Sequence, residues 1–212
     1  MTEYEECAEV KLGLKTSFKA VYGEATYRRI EEDAIFFRRK AAQSDIDDRD
    51  KKRYARVVIL LMVLYLESFS SLIFNALVNK SLKDIDNRID LPQPIRRFRA
   101  VHKELLNKEL ALNTDGIQDI FTIRNKILVH PAGRAESQTG TGEDGWSRLD
   151  KNVPYKKFRH FPVHYSHFML DHTDEILKEV KGFTTALLKM LSSKVPKKQF
   201  DEWWPCQLVR WS

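Results

Sequence analysis

Cysteine is almost missing from this chain: two in 212 residues, Cys7 and Cys206, near opposite ends. That scarcity excludes a disulfide framework and a Cys/His zinc pattern, and reduced thiols fit a cytoplasmic location. Glycine and proline are thin as well, with eight and seven, and they are rarest before residue 90. Neither a glycine-rich phosphate loop nor a serine nucleophile elbow can be assembled from them. The alternating β-branched pattern of strands is also absent. The opening MTEYEECAEV is acidic and lacks the basic start and apolar core of a secretory signal. Charge of one sign is in modest excess only. With 36 Lys+Arg against 30 Asp+Glu the net charge is +6, which leans toward polyanions without the surplus of a dedicated nucleic-acid binder.

What remains is apolar residues at helical spacing, which predicts an all-α fold: an up-and-down helical bundle of four to five main helices. One domain is expected over residues 1–193, followed by a tail, 194–212, that holds Trp203, Trp204 and Trp211 and docks on the bundle or on a partner. Phe18 to Gln43 reads as the first long helix. The acidic run Asp45 to Asp50 lacks the alternation and closing glutamate of a calcium loop, and is placed at the start of the next helix, where carboxylates favour the positive end of the dipole. That helix contains Val57 to Leu66, ten consecutive apolar residues. A membrane span needs about 20, so a buried central helix is expected and no membrane partner.

Glu67 follows directly and needs a partner in a helical core. After Leu91-Pro92-Gln93-Pro94, a third helix is expected over Ile95 to Leu110. Its basic start, Arg96, Arg97, Arg99, His102 and Lys103, is either a solvated face or a strip that guides RNA. A polar segment with four glycines, Ala132 to Pro154, reads as a flexible loop within the domain. Lys156, Lys157, Arg159 and His160 come next, interleaved with Tyr155, Phe158 and Phe161, a second weak candidate for RNA contact. The last helix is expected from His164 to Ser192. His164, His167 and Asp171 lie on one side of it at metal-compatible spacing but without a fourth ligand, so neither metal nor cofactor is expected.

The chemistry concentrates in DGIQDIFTIRNKILVHP, residues 115–131. This stretch predicts a helix opening at Asp115 with Gln118 three residues on, and closing at Pro131. Ile117, Ile120, Phe121, Ile127 and Leu128 share one stripe, and Arg124 lies in its middle. A guanidinium on an apolar face either forms a buried ion pair or serves a site that works on an anion. For the pair, Glu67 is the first candidate partner; the glutamate's alternative is His130. His130 lies roughly 9 Å along the axis from Arg124 and roughly 120° around it, so a twofold pair of helices brings these groups together more easily than one copy does.

Arg124-Asn125, then His130 after five intervening residues, then Pro131, resembles the signature of HEPN domains (higher eukaryotes and prokaryotes nucleotide-binding). The resemblance covers roughly residues 15–192 in layout and 117–131 in specific motif. It implies a helical bundle, commonly a homodimer, with the arginine and histidine of two protomers lining one cleft. It further implies a metal-independent endoribonuclease of toxin, phage-defence or RNA-processing systems, or else a relative that serves as a non-catalytic scaffold or RNA- or nucleotide-binding module. Arg124, His130 and Asn125 are then the catalytic candidates, with Glu67 supporting. In HEPN toxins paired with minimal nucleotidyltransferases a tyrosine stands two residues after the histidine. Ala132 takes that position here, which weakens the paired-antitoxin reading and leaves any protein regulator elsewhere.

Overall fold

The computed structural model describes residues 23–86, 88–129, 156–158 and 168–195, with backbone alone for 23–26, 126, 127 and 129. All regular structure in them is helical. The elements are α1 (Gly23–Ala41), α2 (Asp48–Leu77), a single turn α3 (Leu82–Ile85), α4 (Gln93–Leu106), α5 (Asp115–Ile123) continuing into a π-helical stretch (Arg124–Val129), and α6 (Leu170–Leu191). His130, Pro131, the loop 132–154, Arg159, His160, His164, His167 and the three tail tryptophans lie outside the described residues.

The acidic run starts α2 as expected. The Asp47 carboxylate accepts a hydrogen bond from the Asp50 amide at 2.8 Å, satisfying one of the donors that a helix start leaves unpaired. α2 is the hub of the fold: α1, α4 and α6 all pack on it. Buried residues recur along it from Ala55 to Phe74 on more than one side, because neighbours clasp it from several directions. A chain of aromatic rings ties the four helices together. Tyr27 of α1 meets Tyr65 of α2 edge-on at 5.9 Å, Tyr65 stacks on Phe69 at 5.6 Å, Phe69 meets Phe98 of α4 at 6.2 Å, and Phe98 meets Phe183 of α6 at 5.4 Å. Such offset and tilted pairs add to the area these rings bury.

By length and composition α2 is long and apolar enough to cross a membrane, although the run Val57 to Leu66 alone is too short for a span; 56% of its most apolar stretch is buried inside the protein. Most of the remainder is half-buried, Leu61 and Leu72 against the core, and Leu64 is 44% exposed.

α4 begins at Gln93 and ends at Leu106, shifted toward the N-terminus from the expected span. Pro94 sits in its first turn, where a missing N–H costs nothing. Asn107 adopts a left-handed conformation (φ 51°) and ends the helix, a role that asparagine fills better than most residues. α5 approaches α6 closely at Gly116, where a Cβ would run into the Glu179 side chain.

Candidate functional site

α5 starts at Asp115, and its first turn is fastened by the two residues before it. Asn113 Oδ1 accepts from the Asp115 amide at 2.7 Å, and Gln118 Nε2 donates to Thr114 Oγ1 at 2.9 Å. Ile117, Ile120, Phe121 and Ile123 are buried. Gln118, Thr122 and Asn125 recur at spacings of four and three, forming a polar stripe along the same helix.

At Arg124 the helix changes type. Its backbone N–H is shared between the Ile120 and Phe121 carbonyls, and from there to Val129 the chain is π-helical. Insertions of this kind are rare and occur frequently at functional sites. The single helix expected to Pro131 is therefore α only as far as Ile123. Leu128 packs at the margin of the core.

Arg124 is not sealed in the apolar stripe. It is half-buried; a long stem can lie along apolar surface while the charged head reaches solvent. Its Nη1 donates to Asn125 Oδ1 at 2.6 Å, so the neighbouring amide holds the guanidinium. Arg124 and Asn125 line an open groove of about 420 Å³ together with Gln118, Phe121 and Thr122 of α5, Glu67 of α2, and the segment Ile89–Pro94.

Glu67 is half-buried at this groove, not enclosed in the core. Among the described residues no ion pair joins it to Arg124. Its electrostatic neighbour is Arg97 of α4, whose Nη1 reaches the Glu67 carbonyl at 3.5 Å and Ser70 Oγ at 3.4 Å. Burial lowers the Arg97 pKa, and the Glu67 charge opposes that shift only in part. Of the readings left open for Glu67, a direct ion pair with Arg124 is not formed among the described residues; its nearest cationic influence is Arg97, because α4 packs on α2.

The basic run of α4 is largely engaged within the protein. Arg96 donates to the Asp86 carbonyl. Arg99 pairs with Asp86 at 3.3 Å and with Glu109 at 2.5 Å. His102 is 2% exposed, with its Nδ1–H donating to the Lys108 carbonyl at 2.7 Å. Lys103 stays exposed beside a smaller cleft of about 230 Å³ shared with Asp86, Arg88, Arg99 and Glu109. These contacts fasten α4 to the turns around it, while Lys103 remains exposed.

Lys156 and Lys157 are tied down as well. Lys156 Nζ donates to Gln118 Oε1 at 3.0 Å and lies 3.5 Å from Asp115, while Lys157 pairs with Glu179 of α6. Beneath them is a residue that sequence reasoning missed. Asp119, 1% exposed, accepts three consecutive backbone N–H groups, from Lys156 at 2.9 Å, Lys157 at 2.6 Å and Phe158 at 3.0 Å. It anchors the returning chain to the motif helix. Its partners are 37 to 39 positions away, beyond the reach of any local pattern.

Among the described residues no group of three His, Cys, Asp or Glu stands close enough to hold a metal ion. The groove can offer a held guanidinium, three amide side chains, a hydroxyl and two carboxylates, Glu67 and Asp90. Such a set can bind an anion at one side and hydrogen-bond a polar ligand along the rest. No protein-family model, curated protein or solved structure matches the chain.

Proposed function

We propose that this protein is a metal-independent endoribonuclease of the HEPN type, cytoplasmic, acting as a homodimer with a shared cleft, in a toxin or phage-defence setting. The observation that supports this most is the state of Arg124: its fork is held by Asn125 and opens on a groove, rather than being consumed by Glu67. In RNA cleavage of this kind the 2′-oxygen attacks the adjacent phosphorus as its proton passes to a base. The P–O5′ bond breaks, and the leaving oxygen takes a proton from an acid. Products are a 2′,3′-cyclic phosphate and a 5′-hydroxyl.

Arg124 supplies positive charge to the non-bridging oxygens, for which its planar fork is better suited than an ammonium. Asn125 keeps the guanidinium in place. His130, next after Val129 in the sequence, takes the acid role in this reading, because an imidazole titrates near neutral pH. Glu67 stands across the groove as the supporting carboxylate.

The test is cleavage of labelled single-stranded RNA with and without a chelator. The proposal expects cyclic-phosphate ends, indifference to chelator, and loss of cleavage in Arg124→Ala and His130→Ala variants that remain folded and dimeric. Binding of RNA or nucleotide without cleavage by the wild type would assign the groove to a non-catalytic module. Cleavage that needs a metal and leaves 5′-phosphates would contradict the proposal.

A further inference from the structure

The groove is lined from two segments of different composition. One is the face of α5 and the π-helical stretch, polar at Gln118, Thr122, Arg124 and Asn125 with Phe121 among them; the other is the segment that leads into α4, where Ile89, Leu91, Pro92 and Pro94 are apolar and Asp90 and Gln93 are polar. Ile89 is 90% exposed, and burial in the protein's own core does not account for so large an apolar side chain beside Asp90 on a turn. The volume, about 420 Å³, falls within the range of small-ligand clefts, roughly 300 to 1,000 Å³. A duplex keeps its bases stacked inside and presents phosphates and 2′-hydroxyls, so it has no use for an apolar wall.

We infer that the groove takes one unpaired nucleotide, its phosphate on Arg124 and its base laid against Ile89, Leu91 and Pro92. This rests on the reading of Arg124 as a phosphate ligand and adds the residues that hold the base. Glu67 and Asp90 also border the groove, and their charges keep a bare polyanion from lying along its whole length. The phosphate is thereby confined to the α5 side, while the base, uncharged and flat, occupies the other. Gln118 contributes little to base recognition, because its amide already bonds Thr114 and Lys156. Gln93, exposed at the start of α4, has its amide open to the edge of a base.

The experiment titrates the full-length protein with ribose 5-phosphate and with cytidine 5′-monophosphate, by calorimetry and by amide shifts in nuclear magnetic resonance. The nucleotide is expected to bind roughly five- to tenfold tighter, the worth of one apolar contact. Ile89→Ser should remove that advantage and leave ribose 5-phosphate unchanged, and Arg124→Ala should weaken both. Because Ile89 is exposed, its replacement leaves the fold intact, and the unchanged ribose phosphate affinity reports this directly. If ribose 5-phosphate binds through Arg124 but the nucleotide binds no tighter, or Ile89→Ser weakens both alike, the base site is overturned and the phosphate reading stands. If neither ligand shows any dependence on Arg124, both are overturned.

Discussion

Replacing Asp119 with alanine should cost about 3 kcal/mol of unfolding free energy. The carboxylate is buried and receives three backbone N–H groups at 2.6 to 3.0 Å. A hydrogen bond to a charged group is worth roughly 1.5 to 3 kcal/mol when its loss leaves the partner dry. Lys156 and Lys157 are exposed residues, so water can replace most of what their amides lose. Phe158 is 6% exposed, and its amide stays orphaned, which accounts for most of the cost. Asp119→Asn keeps the shape and one acceptor but turns an NH2 group toward a donor, so it should lose about 2 kcal/mol. In urea unfolding followed by circular dichroism, a slope of about 2 kcal/mol/M converts the alanine loss into a midpoint shift of about 1.5 M. A shift below about 0.5 M for alanine would show that the clasp at 156–158 contributes little to stability, and the reasoning would be wrong.

Other perturbations follow from named contacts. On α2, Leu66→Ala should cost about 2 to 5 kcal/mol, whereas Leu64→Lys should stay within about 0.5 kcal/mol; equal losses in urea unfolding would mean the helix face is misassigned. The Tyr65 hydroxyl is buried beside Thr184 without a well-formed hydrogen bond among the described residues, and the Thr184 hydroxyl donates its proton to the Val180 carbonyl at 2.8 Å. Tyr65→Phe is therefore expected to be neutral or stabilising by up to about 1 kcal/mol, and a loss above that in thermal unfolding would contradict it. His172 Nδ1 accepts the Met169 amide at the start of α6, at 3.0 Å. Burial lowers its pKa below the ordinary histidine value, against the pull of Glu175 and Asp171. The unfolded chain thus binds this proton more readily. The stability held at neutral pH is lost as pH falls through the ordinary histidine range toward the lowered value. A His172→Gln variant should lose that part of the pH dependence, and an unchanged profile would rule out the assignment. Arg38 and Asp174 join α1 to α6 by two bonds of 2.9 Å; both are partly exposed, so a double-mutant cycle should give about 0.5 to 1 kcal/mol at low salt and less at high salt.

The fold class was legible because long helices repeat their apolar spacing many times and few glycines or prolines interrupt it. The start of α2 was legible for a local reason: Asp47 and Asp50 are three residues apart, the reach of a capping bond. The end of α4 was not, since Asn107 ends the helix through a left-handed conformation that its neighbours do not announce. At the site, the sequence picked out Arg124 and Asn125 but left open whether the guanidinium pairs with Glu67 or serves an anion site. The change to π geometry at Arg124 carries no residue signature, and the choice of Arg97 as the neighbour of Glu67 depends on how α4 lies on α2. The polar stripe Gln118, Thr122, Asn125 could have been read from spacing alone. Asp119 could not, because what makes it matter is backbone from a distant segment.

The proposed nuclease role requires that the Arg124 guanidinium, which lines the groove, contribute little to holding the fold. Unfolding of Arg124→Ala in urea, set beside its rate of RNA cleavage, tests this most directly. The account predicts stability within about 0.5 kcal/mol of wild type together with a loss of cleavage of at least about 100-fold. A stability loss of about 3 kcal/mol or more, as for a broken buried ion pair, or cleavage that continues undiminished, would contradict it.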